Sequence, residues 1–423
     1  MADYSTSLRT QYLNPRTHIK NKQTEFRFDK NTMYTSSIRL LNVAVIRNTA
    51  DESYNRKAGI LSLFKNVRLL DGSRELCSLR NGVDYLAFKN INTTNEKLHN
   101  MNDFLHKSAA ALELRNTGDI HSASDSINQV TMNIDTFDDT KSGYVNLSLI
   151  LPLLSSLPAL DTSVFKNLRL VIEYSDVAKF VSENNTGVYT ISEPVLAADE
   201  IIGQKKQAAM KSAMKGAIVW SEIEHDLFQV PVGTQPATAL GESVQEVNKV
   251  ITGFDNKYVS RVLMVKTFND KTFNYATNEV KGDGNLVSLA MFKDELNVRH
   301  KGSNMFNGDA LANAGFRQML LQETWGDVVI PPFGALTMVG LDDPIAESRN
   351  VSGVQSNLIG QNDYIGFQVE DYVKQLQFNY KRTIVKDDSA NLSNSVAMDV
   401  HIYGEVRKQL TFTGNGDYDI SYV

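Results

Sequence analysis

Cysteine is nearly absent: Cys77 is the only one in 423 residues. A single thiol excludes a disulfide framework or a thiolate metal cluster within one chain, and the chain reads as made in a reducing cytoplasm. Charge of one sign is also lacking. The formal net charge is -6 and is spread along the sequence, which argues against a dedicated nucleic-acid binder. No basic-then-apolar start resembles a signal peptide, so the Asn-x-Ser/Thr sequons at Asn92, Asn146, Asn184, Asn350 and Asn391 are expected to be unused. The most apolar run, Tyr144 to Leu160, is interrupted by Pro152 and Pro158 and falls short of the ~20 residues that span a bilayer. It reads as a buried strand followed by a short turn.

Recognisable chemistry is sparse too. His18, His99, His106, His121, His225, His300 and His401 are scattered, with no HExxH, HxH or CxxC grouping. A metal-binding β-barrel would need two close histidines and an acid. His401 with Glu405 is the nearest approach, and the pair reads as polar surface. Asp135, Asp138 and Asp139 lack the glycine and glutamate spacing of a Ca²⁺ loop. Gly282-Asp283-Gly284 and Gly414-Asn415-Gly416 are glycine turns that open no phosphate-binding helix, and no serine sits in a GxSxG elbow. No catalysis, cofactor, metal or small-molecule substrate is expected.

What is present is a repeat. Val164 to Ser175, VFKNLRLVIEYS, has a counterpart in Tyr372 to Arg382, YVKQLQFNYKR, in which Lys166, Leu168, Leu170 and Ile172 match Lys374, Leu376, Phe378 and Tyr380. Each copy alternates apolar and polar residues at period two, as a strand with one buried face does. At the same offset follow Val188–Ile191 and the alternating Val396, Met398, Val400 and Ile402. The shared spacing points to one β-domain built twice.

Along the chain, residues 1–33 carry Arg9, Arg16, Lys20, Lys22, Arg27 and Lys30 against Asp3, Glu25 and Asp29 with no lasting apolar period. They read as an N-terminal arm. From Tyr34 to Asn48 a period-two pattern slips phase after Leu40, which predicts a bulge. Leu61 to Leu69 is a strand, Asp71-Gly72 a hairpin turn, and Leu76 to Phe88 the returning side. Leu98, Met101, Leu105, Ala109 and Leu112 predict a helix behind a Thr93/Glu96 capping box. Ile201 to Lys215, with Lys205, Lys206, Lys211 and Lys215, reads as a connecting helix closed by Gly216. In the second half, Ile218 to Val230 is expected to point Glu222, Glu224 and Asp226 outward. Strands follow at Tyr258–Phe268 and around Leu296 and Val298, then a helix over about Asp309–Thr324, a long loop near 342–363, and a tail from Thr411. Many short strands and few helices indicate β-sandwich or jelly-roll modules. The expected division is an arm at 1–33, a first module at 34–203, a linker helix at 204–216, a second module at 217–410 and a tail at 411–423.

Several stretches then resemble one family. FKNVRLLDGSREL (Phe64–Leu76) and Val164–Ser175 with Glu193-Pro194-Val195-Leu196 look like parts of a first barrel. ITGFDNKYVSRVLMV (Ile251–Val265) and ELNVRHKGSNMF (Glu295–Phe306) look like parts of a second. GEVRKQL (Gly404–Leu410) and Ile420-Ser421-Tyr422-Val423 look like its C-terminal end. Together they resemble the double jelly-roll major capsid proteins of tailless icosahedral double-stranded DNA viruses, the adenovirus lineage, in the lean form found in Polinton-like viruses and virophages. The resemblance implies an all-β chain of two tandem eight-stranded jelly rolls, trimers of pseudo-hexagonal outline, and a virion shell shared with penton and minor capsid or cement proteins. It also implies termini that reach neighbours, an internal membrane or packaged DNA. Arg9, Arg16 and Lys20 in the arm and Tyr418 and Tyr422 in the tail suit such assembly contacts. Lys166, Arg169 and Glu173 would guard an exposed strand edge, so that valines there should promote aggregation. The competing reading is a jelly-roll binding module, a viral fibre or carbohydrate-recognition protein, which requires an exposed aromatic groove.

Overall fold

The structure, a computed structural model, describes residues 7–43, 45–47, 59–91, 143–176, 189–234, 241–268, 294–305, 314–325, 364–385, 397–413 and 417–423. The helix expected over Leu98–Leu112, His99, His106, His121, the cluster at Asp135–Asp139, the glycine turns, the loop at 342–363 and every sequon except Asn146 lie outside them.

Alternating patterns become strands in two successive sets. The first comprises β1 (Leu8–Leu13), β2 (Thr17–Ile19), β3 (Gln23–Arg27), β4 (Met33–Val43), β5 (Val45–Arg47), β6 (Phe64–Asp71), β7 (Arg74–Leu79), β8 (Gly143–Asn146), β9 (Leu160–Asp161), β10 (Leu168–Tyr174), β11 (Tyr189–Ile191) and β12 (Val195–Ile201), with helices α1 (Val83–Ile91) and α2 (Pro152–Ser156). Helix α3 (Gln204–Ala213) leads to the second set. That set is β13 (Ile218–Val230), β14 (Glu242–Ile251), β15 (Lys257–Phe268), β16 (Asp294–His300), β17 (Ser303–Asn304), helix α4 (Ala314–Trp325), β18 (Tyr364–Val373), β19 (Leu376–Val385), β20 (Met398–Thr413) and β21 (Asp417–Tyr422).

Each set folds into two facing antiparallel sheets. In the first, β1-β12-β4-β8 opposes β2-β3-β10-β6-β7; in the second, β13-β20-β15-β18 opposes β14-β19-β16-β17. Setting aside the short β2, β5, β9 and β11 of the first set and β21, which adds to β20, in the second, the eight main strands of each barrel take the same order, 1-8-3-6 over 2-7-4-5. This is the winding of a jelly roll. The first strand of the repeat occupies equivalent places, β10 and β19 being the seventh strands. The second does not: Tyr189–Ile191 forms the short β11 paired with β5, while Met398, Val400 and Ile402 open β20, the eighth strand, whose counterpart in the first barrel is β12. Leu168, Leu170 and Ile172 and their counterparts Leu376, Phe378 and Tyr380 are all buried.

Local signals held where one face is dry. The phase slip in β4 is a bulge: Asn42 takes a left-handed φ of 58°, burial passes from Ile38 and Leu40 to Val43, and the pairing with β8 shifts register between Leu40 and Val43. Asparagine tolerates that conformation better than other side-chain-bearing residues. Gly72, at φ +60°, turns the β6–β7 hairpin, in which Asp71 pairs with Arg74.

Four expectations change. Residues 8–27 are not an arm, because they supply the first and second strands of the first barrel. β1 pairs with β12 from Leu8↔Ile201 to Leu13↔Leu196, and β3 pairs with β10. β1 is held by backbone pairing and polar links rather than a buried apolar face: Thr10 Oγ1 donates to Asp199 (2.7 Å) and Gln11 Nε2 to Glu200 (2.7 Å). The strand returning from Gly72 stops at Leu79. Asn81, at φ 46°, and Gly82 form a turn that starts α1, where extended chain was expected. β10 is no edge, since β3 and β6 flank it. Arg169 accordingly donates to the Gly72 carbonyl (2.9 Å), Glu173 pairs with Arg68, and highly exposed Lys166 lies 3.8 Å from Asp417. Finally, the residues from Thr411 onward continue the second barrel, with β21 paired to β20 through Lys408↔Tyr422 to Thr413↔Asp417.

Candidate functional site at the junction of the barrels

The sheet of the second barrel built from β13, β20, β15 and β18 is buried on both faces. One face, with Phe228, Val230, Val262, Met264, Val400 and Ile402, packs in the second barrel's own core. The other, with Ile223, Leu263, Val265, Tyr364 and Tyr403, belongs to the same apolar cluster as the first barrel's Leu76, Leu79, Leu86 and Phe88. Helix α1 is therefore one contact element of the first barrel, beside β7 and α2, which pack on β13. Phe88 meets Tyr364 at a 5.1 Å centroid distance and Trp325 at 5.5 Å, and Tyr85 meets Tyr403 at 5.7 Å.

Two polar clusters are sealed into this seam. In the first, Glu222 on β13 has no solvent exposure. Its Oε1 accepts from Lys408 Nζ (2.9 Å) and from the Ser78 backbone N–H (3.1 Å) of the first barrel, and its Oε2 accepts from Trp220 Nε1 (3.0 Å). Burial alone would lower the Lys408 ammonium's pKa, but Glu222 and then Glu224 outweigh it, so Lys408 is held above its ordinary range. Burial, then the charge of Glu222, pushes the Cys77 thiol far up; such a thiol is inert. The sequence reading placed Glu222, Glu224 and Asp226 outward. Glu222 instead shares the parity of Ile218 and Trp220, which are buried in the junction cluster, and Glu224 and Asp226 are half-buried. Glu224 pairs with Lys257, and Asp226 Oδ2 accepts from the Gly253 N–H (2.9 Å). Period two carried this signal, but the acidic residue types masked it.

The second cluster joins His225 and His401, whose Nε2 and Nδ1 lie 2.9 Å apart. His401 Nε2 is 3.2 Å from Thr267 Oγ1 and 3.9 Å from Asp84 Oδ2 of α1. Asn81 Nδ2 lies 3.2 Å from His225 Nδ1, and Tyr403 donates to the Asn81 carbonyl (2.6 Å). Burial, then the neighbouring His401, drives the His225 pKa down to about 3, with Asp84 opposing. His401 is thus buried, not polar surface, while Glu405 pairs with Arg261. A second histidine and an acid do gather beside His401, but the ring nitrogens face one another rather than a common centre. Among the described residues no group of three or more His, Cys, Asp or Glu side chains is placed to hold a metal ion. What the arrangement does chemically is fix one barrel against the other with hydrogen bonds shielded from water.

The C-terminal strand adds a clasp. Tyr418 donates to Asp71 Oδ2 (2.9 Å), stacks edge-on against Phe165 (5.1 Å), and lies under Arg74, whose guanidinium also bonds Asp419 (2.9 Å). Burial, then the Asp71 hydrogen bond, raises the Tyr418 pKa. Tyr422 donates to Glu224 (2.8 Å) between Lys257 and Lys408. Both tail tyrosines are therefore engaged within the chain. Arg9 is paired with Glu200 (2.6 Å) at the sheet edge. Arg16, whose backbone N–H bonds Glu25, and Lys20 in the β2–β3 turn present exposed side chains. We expect Tyr418→Ala to destabilise the chain by roughly 1–2 kcal/mol, less than a fully buried aromatic costs, and to open the tail to limited proteolysis. An unchanged urea midpoint and cleavage pattern would show that the clasp carries no strain of the junction.

Comparison with solved structures matches this whole arrangement. The mavirus major capsid protein superposes with a TM-score of 0.55 at 8% identity, covering 100% of this chain and 91% of that one. The fold is a double jelly roll. PBCV-1 VP54, in a structure fitted into the virophage Sputnik, gives a TM-score of 0.55 at 10% identity with 100% and 98% covered, and the Faustovirus major capsid protein 0.53 at 8% with 96% and 90%. No family model matches the sequence, and no curated protein does. At such identities the likeness is carried by strand order and barrel placement, not by shared side chains. In this double jelly roll, Glu222, Lys408, His225, His401 and Asp84 fill the seam that the fold creates.

Proposed function

We propose that the chain is the major capsid protein of an icosahedral double-stranded DNA virus, located in the virion shell after synthesis in the host cytoplasm. Three copies close a capsomer of pseudo-hexagonal outline, each contributing two jelly rolls, and capsomers tile the lattice beside penton and cement proteins. The single observation that carries this reading is the match of both barrels, in order and over the full chain, to viral major capsid proteins. The sealed junction supports it, since a subunit supplying two of six sides must hold its barrels at one angle. A ring of identical subunits also needs no reactive residue, only repeated self-complementary contacts. Arg16 and Lys20, exposed at the corner between β1 and β3 at the opposite end of the first barrel from α3, are proposed contacts to neighbouring subunits.

Light scattering on the purified protein should return three times the 47.2 kDa chain mass, with hexagonal particles in negative stain. A monomer at every salt and pH tried would reject the capsomer and turn attention to glycan binding.

A further inference from the structure

Between Glu200 and Glu222 the chain carries Lys205, Lys206, Lys211 and Lys215 and no acidic residue, in a protein of net charge -6. Helix α3 occupies this stretch and buries none of its residues. It is nevertheless fixed in place. Met210 packs on Met33, Ala159 and Ile201, Gln207 Nε2 donates to the Ile201 carbonyl (2.6 Å), and Lys211 Nζ lies 3.7 Å from Asp161 Oδ2. The turn between β3 and β4, bearing exposed Lys30, adjoins the same corner, since Thr162 Oγ1 sits 2.7 Å from the Asp29 carbonyl and 2.8 Å from that of Thr32. Lys206, Gln207 and Met210 face the barrel. Lys205, Lys211 and Lys215 stand exposed around Ala208, Ala209, Ser212 and Ala213, whose short side chains leave a low surface between the ammonium groups.

We propose that this face of α3 is a docking surface for the phosphate backbone of double-stranded DNA. Flexible point charges over a low surface suit phosphates without reading bases. The face has no aromatic side chain on which single-stranded bases could stack. It also lacks the Trp, Phe or Leu stripe by which an interfacial helix enters lipid; among the described neighbours of its first turn, Ile202 and Leu8 are exposed and do not make one. The inference deepens the capsid reading, assigning the end that faces the packaged genome.

The test is anisotropy of a labelled random-sequence duplex with full-length protein over a salt series. Native protein and a Lys205→Gln/Lys211→Gln/Lys215→Gln variant, all surface changes, are compared after both have been sized by light scattering. The slope of log K against log salt should lose about 2–3 units, near 0.9 per phosphate contact, and affinity at ~0.1 M salt should fall tenfold or more. The triple Lys→Arg variant should bind like the native chain. An unchanged slope in the Gln variant overturns the proposal. So does absence of duplex binding at ~50 mM salt, or binding of phosphatidylserine vesicles in place of duplex. If trimers form in any of these cases, the capsomer reading survives and this surface alone fails.

Discussion

Glu222→Leu should cost about 3–5 kcal/mol in urea unfolding, the range for removing one partner of a buried ion pair. The change leaves the Lys408 ammonium in the seam with only Glu224, 3.3 Å away, as a carboxylate partner, and deprives the Ser78 N–H and the Trp220 indole N–H of their acceptor. Lys408→Met should be similarly costly, because it leaves the fully buried Glu222 carboxyl with neutral donors alone. The decisive quantity is the coupling. Combining the two changes removes both charges and lets apolar side chains fill the space, so the double variant should be less destabilised than the sum of the singles by at least ~1–2 kcal/mol. Additive costs would mean that Glu222 and Lys408 act separately, each through its other contacts. A large coupling would establish the pair as one unit holding β13 and β20 to β7.

Acid should weaken the same seam through His225. Its native pKa lies near 3 against an ordinary value of 6.5. Between those limits the unfolded chain binds a proton that the native chain refuses. Stability therefore falls as pH drops from about 6.5 towards 3, by up to ~1.4 kcal/mol per pH unit for this one group, and is independent of it above and below that window. Urea midpoints measured from pH 7.5 to 4 should show this decline. His225→Gln, which keeps a hydrogen-bonding side chain beside Asn81 and His401 but cannot titrate, should flatten it by about one proton's worth of slope. Parallel profiles for the native and variant chains would mean that the acid sensitivity originates elsewhere. The groups around the imidazole come from both barrels: Asn81 and Asp84 from the first, His401 and Tyr403 from the second.

How much of this could be read from the chain follows from where its signals are local. Strands with one dry face, such as β10 and β19, announced themselves by period two, and their repetition at a fixed offset exposed the duplication. The bulge at Asn42 and the hairpin at Gly72 were legible because residue type and backbone conformation are coupled there. β1 was illegible for the opposite reason, since its side chains are mostly exposed and its partner Ile201 lies far along the chain. The buried histidine pair required knowing that β13 lies beside β20, with His225 opposite Tyr403; no window around either histidine contains that. Glu222 was within reach. Its place after Ile218 and Trp220 on one parity argued for burial, and only the habit of reading carboxylates as solvated set it outside.

The pairing of β1 with β12 has a consequence in time. At a synthesis rate of about 5–20 residues per second, a ribosome needs roughly 10–40 s to travel from Leu8 to its partner Ile201. Throughout that interval β1 has no complement, and an apolar strand held open so long would invite pairing with any other unfinished chain. Arg9, Thr10 and Gln11 keep the waiting segment wetted, and their acceptors Asp199 and Glu200 arrive with the very strand that ends the wait. The feature that hid β1 from a search for apolar periods also fits it to be made well before its partner and docked late.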